Sequence, residues 1–241
     1  MAIEVFNRRE IKYMLSDADR DALLEEIRGK MESDKFNAGG KPYSICNIYL
    51  DTDANELIRK SLEKPAFKEK IRLRSYGIVG AGDTVFLESK KKFGGVVNKR
   101  RTALTLADAY RYFETGDFPN HPKMNAQVMK EINRTFEFYR LKPKVFLAYD
   151  RFAFFEKNNS DFRMTLDTNI RARRTDIRLD TNSDGGALLP DGVWLLEAKA
   201  FRAFPLWFVR FLSSRKIYST SFSKYGTEYK LWLKKQNGAS F

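Results

Sequence analysis

The stretch "EKIRLRSYG", residues 69–77, places Lys70, Arg72 and Arg74 on alternate positions, with Ile71 and Leu73 between them. A period of two is the signature of a β-strand, whose successive side chains point to opposite faces. One face of this strand is therefore cationic and the other aliphatic. Whether the cations meet water or an interior decides the fold.

The same split recurs along the chain. "RREIKYML" sets Arg8, Glu10 and Lys12 against Ile11, Tyr13 and Leu15, and "ICNIYLDT" sets Asn47, Tyr49 and Asp51 against Cys46, Ile48 and Leu50. In "TVFLESKKK" Glu88 and Lys90 oppose Val85 and Leu87, while "VVNKRRTAL" groups Lys99 with Arg101. "VFLAYDRFAF" groups Tyr149 with Arg151, "DFRMTLDTN" groups Arg163 with Asp167, and "VWLLEAKA" groups Glu197 with Lys199. Eight strands with one pattern are predicted from these segments. A helix is expected over residues 18–31, capped by Ser16 or Asp17, and another from Thr105, where Asp108 completes a capping box. Residues 123–139 and 225–236 carry apolar positions at helical spacing, and "FRAFPLWFVRFL" reads as a helix broken around Pro205.

In a half-exposed sheet the charged face simply meets water. Here the polar faces are Arg and Lys with a few isolated carboxylates, strand after strand. Like charges opposite each other destabilise a sheet unless an anion lies between them. A closed antiparallel barrel of about eight strands, with this face lining a lumen and helices packed outside, removes the conflict; its interior holds side chains or one narrow ligand. Unpaired cations there would carry a prohibitive desolvation cost, so the lumen implies a bound polyanion, and phosphate chains match Arg forks and Lys ammoniums. Glu10, Glu88 and Glu197 share the parity of the cations. Each suits either a salt bridge or a hard cation such as Mg²⁺ or Mn²⁺, which bridges carboxylates and substrate phosphates.

The bulk composition agrees. Among 241 residues, 44 Lys and Arg against 31 Asp and Glu give a net charge of +13, which calls for an anionic partner. Cys46 and His121 each stand alone in the sequence, which excludes a disulfide framework, a Cys/His zinc site and a Cys/His nucleophile pair. The amino-terminal segment has charges from residue 4 and no secretory h-region, and "AFPLWFVRFL" is too short to span a bilayer and contains Arg210. The expectation is a soluble, cytoplasmic α+β protein with one domain over residues 1–241; its oligomeric state is left open.

The motifs "REIKYML", "IYLDT", "IRLRSYG", "FLESKKK", "NKRRTAL", "AYDRFAF", "FRMTLDTNI", "LLEAKA" and "FSKYG", in this order over about residues 6–232, resemble the VTC domain. That domain is the polyphosphate polymerase domain of the triphosphate tunnel metalloenzyme superfamily. The resemblance implies a tunnel that binds ATP and a polyphosphate or triphosphate chain with Mn²⁺ or Mg²⁺. It also implies phosphate-binding roles for Lys12, Arg72, Arg74, Lys90, Lys99, Arg151 and Arg163, with Tyr149 assisting, Glu197 on the metal, and Ser223 and Lys224 closing one end. Arg101 joins the substrate set, and Arg59 stands for a cation upstream of the paired arginines, across an extra loop, "EKPAFKEK". Ser221 replaces a lysine that eukaryotic members carry before "FSK". Arg8 replaces the first of two alternating glutamates found in other tunnel enzymes, which points to the VTC branch. The expected reaction is transfer of a phosphoryl group from ATP to a polyphosphate end. The alternatives are hydrolysis of tripolyphosphate or a nucleoside triphosphate, with Glu10 or Glu88 as base or second metal ligand, and a non-catalytic polyphosphate or nucleic-acid binding module. Nucleic acid is not expected, because the charged faces offer only Tyr49, Tyr76 and Tyr149 for stacking.

Overall fold

Residues 9–94, 96–157 and 159–238 are described by the structure, a computed structural model. Every segment with period-two patterning is a strand: β1 (Arg9–Leu15), β3 (Tyr43–Asp51), β4 (Phe67–Tyr76), β5 (Thr84–Phe93), β6 (Val96–Thr105), β7 (Lys142–Glu156), β8 (Asn159–Arg173) and β10 (Trp194–Ala200). Three short strands join them, β2 (Met31–Ser33), β9 (Gly186–Ala187) and β11 (Ser219–Thr220). The helices are α1 (Asp17–Glu26), α2 (Glu56–Leu62), α3 (Leu106–Thr115), α4 (Ala126–Tyr139), α5 (Leu206–Ser214) and α6 (Lys224–Gln236).

The caps lie where the sequence puts them: the amide of Asp19 donates to Ser16 Oγ at 3.1 Å, and that of Asp108 to Thr105 Oγ1 at 3.1 Å. Helix α1 stops short of residue 31 because Gly29, at φ 75°, turns the chain into β2. The break expected at Pro205 is the start of α5. Helix α2 has no counterpart among the predicted elements. It is seven residues long, and the buried Asp51 carboxylate accepts from the amides of Leu57 and Ile58.

All strand pairs are antiparallel, in the order β11-β1-β10-β8-β7-β3-β4-β5-β6, with β2 on β7 and β9 on β8. The closed eight-stranded barrel is thus corrected: the sheet has eleven strands and its hydrogen-bond ladder is open, with β11 and β6 at its edges. Parity dictates which face is inside but not whether the outermost strands pair. Side chains bridge the opening instead. Glu10 of β1 lies 3.8 Å from Lys90 of β5, and Lys70 of β4 donates to Ser223 Oγ at 3.2 Å.

The aliphatic face is buried in two clusters. Ile48, Leu50, Ile71, Leu73, Val85 and Leu87 pack with Tyr112 of α3 and with Met129 and Ile132 of α4. Tyr13, Leu15, Leu166 and Leu196 pack with Leu23 of α1 and Phe208 of α5. Four helices therefore cover the outside, as expected. The other two do not. Tyr225 and Tyr229 of α6 and Ile58 of α2 pack against Tyr49, Val145, Leu147 and Tyr149, which share the parity of the cations. On β3 and β7 the inner face is largely apolar here, and α6 is seated on it through a Tyr49–Tyr225 stack at 4.6 Å.

Candidate functional site

The first half of the site grows from the β4–β5 register. Arg72 is directly opposite Glu88, and the Arg72 Nε and Nη2 atoms both lie 2.8 Å from Glu88 Oε2. Lys99 from β6 reaches Glu88 Oε1 at 2.9 Å, and Arg74 Nε lies 3.9 Å from Oε2. Glu88 is 1% exposed. Burial alone would push its carboxyl up, but Arg72, Arg74 and Lys99 hold it far below the usual carboxylate range. The arginines are braced from β3 and β7: Arg72 donates to Tyr49 Oη at 3.1 Å, and Arg74 to Asn47 Oδ1 at 3.0 Å and Tyr149 Oη at 3.2 Å.

The second half comes from β7, β8, β10, β1 and the first residue of α6. Arg151 grips Asp167 with two hydrogen bonds, 2.6 and 2.7 Å, and Lys224 donates to the same carboxylate at 2.6 Å. Glu197 lies between four cations: Lys224 at 3.2 Å, Lys12 at 3.3 Å, Lys199 at 3.3 Å and Arg151 at 3.9 Å. Burial opposes its ionisation, yet these charges hold its carboxyl well below the ordinary value. Glu10 shares Lys12 and Lys199 with Glu197, each at 3.8 Å, and adds Lys90. The two halves meet through the Arg74–Tyr149 and Glu10–Lys90 contacts.

The structure therefore gathers Lys12, Arg72, Arg74, Lys90, Lys99, Tyr149, Arg151, Ser223, Lys224, Glu10, Glu88 and Glu197 on one inner face. Arg163 lies on the same face of β8, across from Lys199. Arg101 is exposed, with its guanidinium 4.7 Å over the Phe86 ring at the far end of the face. Arg59 is exposed on α2, and no hydrogen bond or ion pair joins it to the cluster. The sequence puts Asp167, Lys199 and Asn47 on polar strand faces without assigning them a role. Their parity placed them on the inner face, but only the fold shows that Asp167 holds two cations.

The inner face has two unlike ends. At one, Tyr76 stacks on Phe36 at 6.0 Å, with Tyr43 and Phe86 beside it. At the other, β4 and β5 run out in lysines. Tyr49 and Tyr149 are buried and offer no platform to a base.

A divalent cation needs hard oxygen donors. Among the described residues no three Asp, Glu, His or Cys side chains gather as a metal cluster, so Glu10, Glu88 and Glu197 do not act together. Glu88 is enclosed by its three cations. Glu197 and Glu10 sit close enough to share two lysines, and Thr165, directly across from Glu197, leaves its buried hydroxyl without a hydrogen-bond partner. This set fits a Mg²⁺- or Mn²⁺-type ion that takes one or two carboxylates and completes its shell with phosphate oxygens and water.

Burial pushes Lys70 down to about 8, with Lys90, Lys12 and Lys68 adding to the fall against Tyr49; partial desolvation, with Arg72 and Arg74 beside it, brings Lys99 to about 8 in spite of Glu88, although its side chain is 41% exposed. Both values lie below the ordinary 10.5, so between about pH 8 and 10.5 the folded protein binds fewer protons than the unfolded chain. These groups therefore add stability as pH rises through that window, while losing positive charge from the inner face. Tripolyphosphate affinity is expected to fall roughly three- to tenfold from about pH 7.5 to 9.5, as the melting temperature rises relative to a K70M/K99M variant. Calorimetric titration and thermal melts check both signs; parallel trends would refute the assignment.

Nine cations (Lys12, Lys70, Arg72, Arg74, Lys90, Lys99, Arg151, Lys199, Lys224) surround four carboxylates (Glu10, Glu88, Asp167, Glu197) among the described residues, so the site is a strongly cationic one on the inner face of an antiparallel tunnel-like sheet. The chain belongs to the VTC domain family, whose profile matches residues 7–233. It is 26% identical over 214 residues to vacuolar transporter chaperone complex subunit 4 of Trypanosoma brucei brucei, and 26% identical over 217 residues to that of Trypanosoma cruzi. Each match covers 73% of this chain and 27% of the relative, so the chain spans about a quarter of their length. Among solved structures, a putative adenylate cyclase from Bacillus halodurans shares the fold, with a TM-score of 0.53 and 15% identity over 91% of this chain and 94% of that one. No described helix is long and apolar enough to cross a membrane.

Proposed function

We propose that this chain, acting as one domain, transfers the terminal phosphoryl group of ATP to the end of an inorganic polyphosphate chain. The observation that carries the reading is the excess of nine named cations over four carboxylates on one enclosed face. A phosphate chain supplies the missing negative charge at the spacing that Arg forks and Lys ammoniums match. Membership of the VTC domain family supports the same reading.

The chemistry requires no protein nucleophile. A terminal oxygen of the acceptor chain attacks the γ-phosphorus; a new P–O bond forms as the β–γ bridging bond breaks, and the electron pair leaves with ADP. Charge in the transition state spreads over the transferred oxygens, so positioning and electrostatic stabilisation supply the catalysis. Arg72, Arg74 and Arg151 clamp phosphates, held in place by Glu88, Asn47, Tyr149 and Asp167. Lys12, Lys90, Lys99 and Lys224 supply point charges. Glu197, with Glu10 beside it, would hold Mn²⁺ or Mg²⁺, which neutralises charge on the phosphates when bound. The aromatic end, with Phe36 and Tyr76 exposed, suits the adenine of the donor. A cytoplasmic location, where ATP is abundant, belongs to the same proposal.

Purified protein given ATP and Mn²⁺ is expected to accumulate long, acid-labile phosphate chains and ADP in step. Release of free phosphate alone would replace polymerisation by hydrolysis in the same site.

A further inference from the structure

A pocket of about 440 Å³ opens beside the inner face where β4 begins and β5 ends. Its cationic lining is Lys64, Lys68, Lys70, Lys92 and Lys230, from the loop after α2, the ends of two strands and one face of α6; Ser223 lies among them. Among the described residues no Asp, Glu or aromatic side chain lines it. Lys68 is directly opposite Lys92, and Lys70 directly opposite Lys90. Two like-charge pairs in succession destabilise an antiparallel ladder, and burial together with Lys92 and Lys64 lowers the pKa of Lys68. None of Lys64, Lys68, Lys92 and Lys230 forms an ion pair among the described residues. Deeper in the tunnel every arginine of β4 has a carboxylate near it; here the lysines have none.

We infer that this pocket is a docking site for the inorganic phosphate chain outside the tunnel. It holds the segment that has already passed Lys70 and Ser223. The inference rests on the reading of the inner face as a phosphate site, and adds a second place of contact that adjoins it at Lys70 and Ser223. Lys68 and Arg72 share a face about 13 Å apart along β4. A triphosphate seated between Arg72 and Arg151 therefore does not reach Lys68 and the lysines beyond it, whereas a longer chain does. The lining also selects among polyanions. Five ammoniums with no ring to stack on suit inorganic phosphate and give a nucleic-acid single strand no platform for its bases. With an aromatic end opposite, the tunnel gains a direction, nucleotide at one mouth and product chain at the other.

The test compares the full chain with a K64S/K68S/K92S/K230S variant, titrated with tripolyphosphate, long-chain polyphosphate and oligodeoxythymidylate at matched salt. The dissociation constant for the long chain is expected to rise roughly tenfold or more and its salt dependence to flatten, while that for tripolyphosphate stays within about twofold. A second variant with arginine at the same four positions is expected to keep long-chain affinity, which separates lost charge from lost structure. Unchanged long-chain binding by the serine variant, equal loss for both phosphate ligands, or loss in the arginine variant overturns the pocket and leaves the tunnel reading intact. A larger loss for oligodeoxythymidylate than for polyphosphate overturns it in favour of nucleic acid. Failure of the wild type to bind either phosphate ligand removes the tunnel reading itself.

Discussion

Replacing Glu197 by glutamine is expected to lower phosphate-chain synthesis by roughly a hundred- to a thousandfold, with the fold intact. Glu197 has four cations within 4 Å, the nearest at 3.2 Å. On the proposed reading, a neutral amide in its place removes a ligand for the divalent ion, and it leaves Lys12, Lys199, Lys224 and Arg151 with less compensating charge. The same substitution therefore strengthens attraction for phosphate while removing turnover. Tripolyphosphate affinity measured without metal should hold or tighten as kcat collapses. A purely structural carboxylate predicts the reverse, a lower melting temperature and weaker binding with kcat preserved in the folded fraction. Arg72→Ala serves as the counterpart: it deletes a proposed phosphate clamp rather than a proposed metal ligand, so both binding and turnover should fall. Chain synthesis by E197Q at the wild-type rate would dismiss the metal role.

How far the sequence reached can be judged from particular residues. Parity in "EKIRLRSYG" puts Arg72 and Arg74 together on one face, and its recurrence in seven further strands was sufficient to turn that face inward, because like charges strand after strand need an anion between them. It was sufficient too for Glu88 and Glu197, whose positions follow from the same alternation. It could not show that Glu88 lies across from Arg72 rather than from Lys70, since register depends on turn geometry and on the neighbouring strand. Asp167 illustrates the cost. Its parity with Arg163 was legible, but its partners Arg151 and Lys224 come from another strand and from a helix start 57 residues away. The open ladder and the placement of α6 were hidden for a related reason. The apolar run Val145, Leu147, Tyr149 sits on the inner face and attracts Tyr225 and Tyr229, so helical amphipathicity alone does not say which side of a sheet a helix covers. Lys70, to which the resemblance gives no role, is the hinge between the tunnel and the lysine pocket.

The second large effect falls on stability. Asp167→Ala is expected to cost about 3–5 kcal/mol, a fall in melting temperature of about 10 °C for a chain of this size, because it strips a buried anion from two buried cations. Asp167 is 0% exposed, and it accepts both hydrogen bonds of the Arg151 fork and one from Lys224. Burial alone would raise its carboxyl pKa, but Arg151 and Lys224 hold it below the ordinary 3.8. A carboxylate lowered in this way contributes stability present above its unfolded pKa and lost as pH falls through the folded one. The deficit of the variant against wild type should therefore be full at neutral pH and shrink in acid. A bound anion provides the other check. If Arg151 and Lys224 face a phosphate site, tripolyphosphate can stand in for the missing carboxylate, and a saturating amount should raise the melting temperature of D167A more than that of the wild type. Equal shifts in the two proteins would mean that Asp167 only braces the fold. A larger shift in the variant would place Arg151 and Lys224 in contact with substrate phosphate.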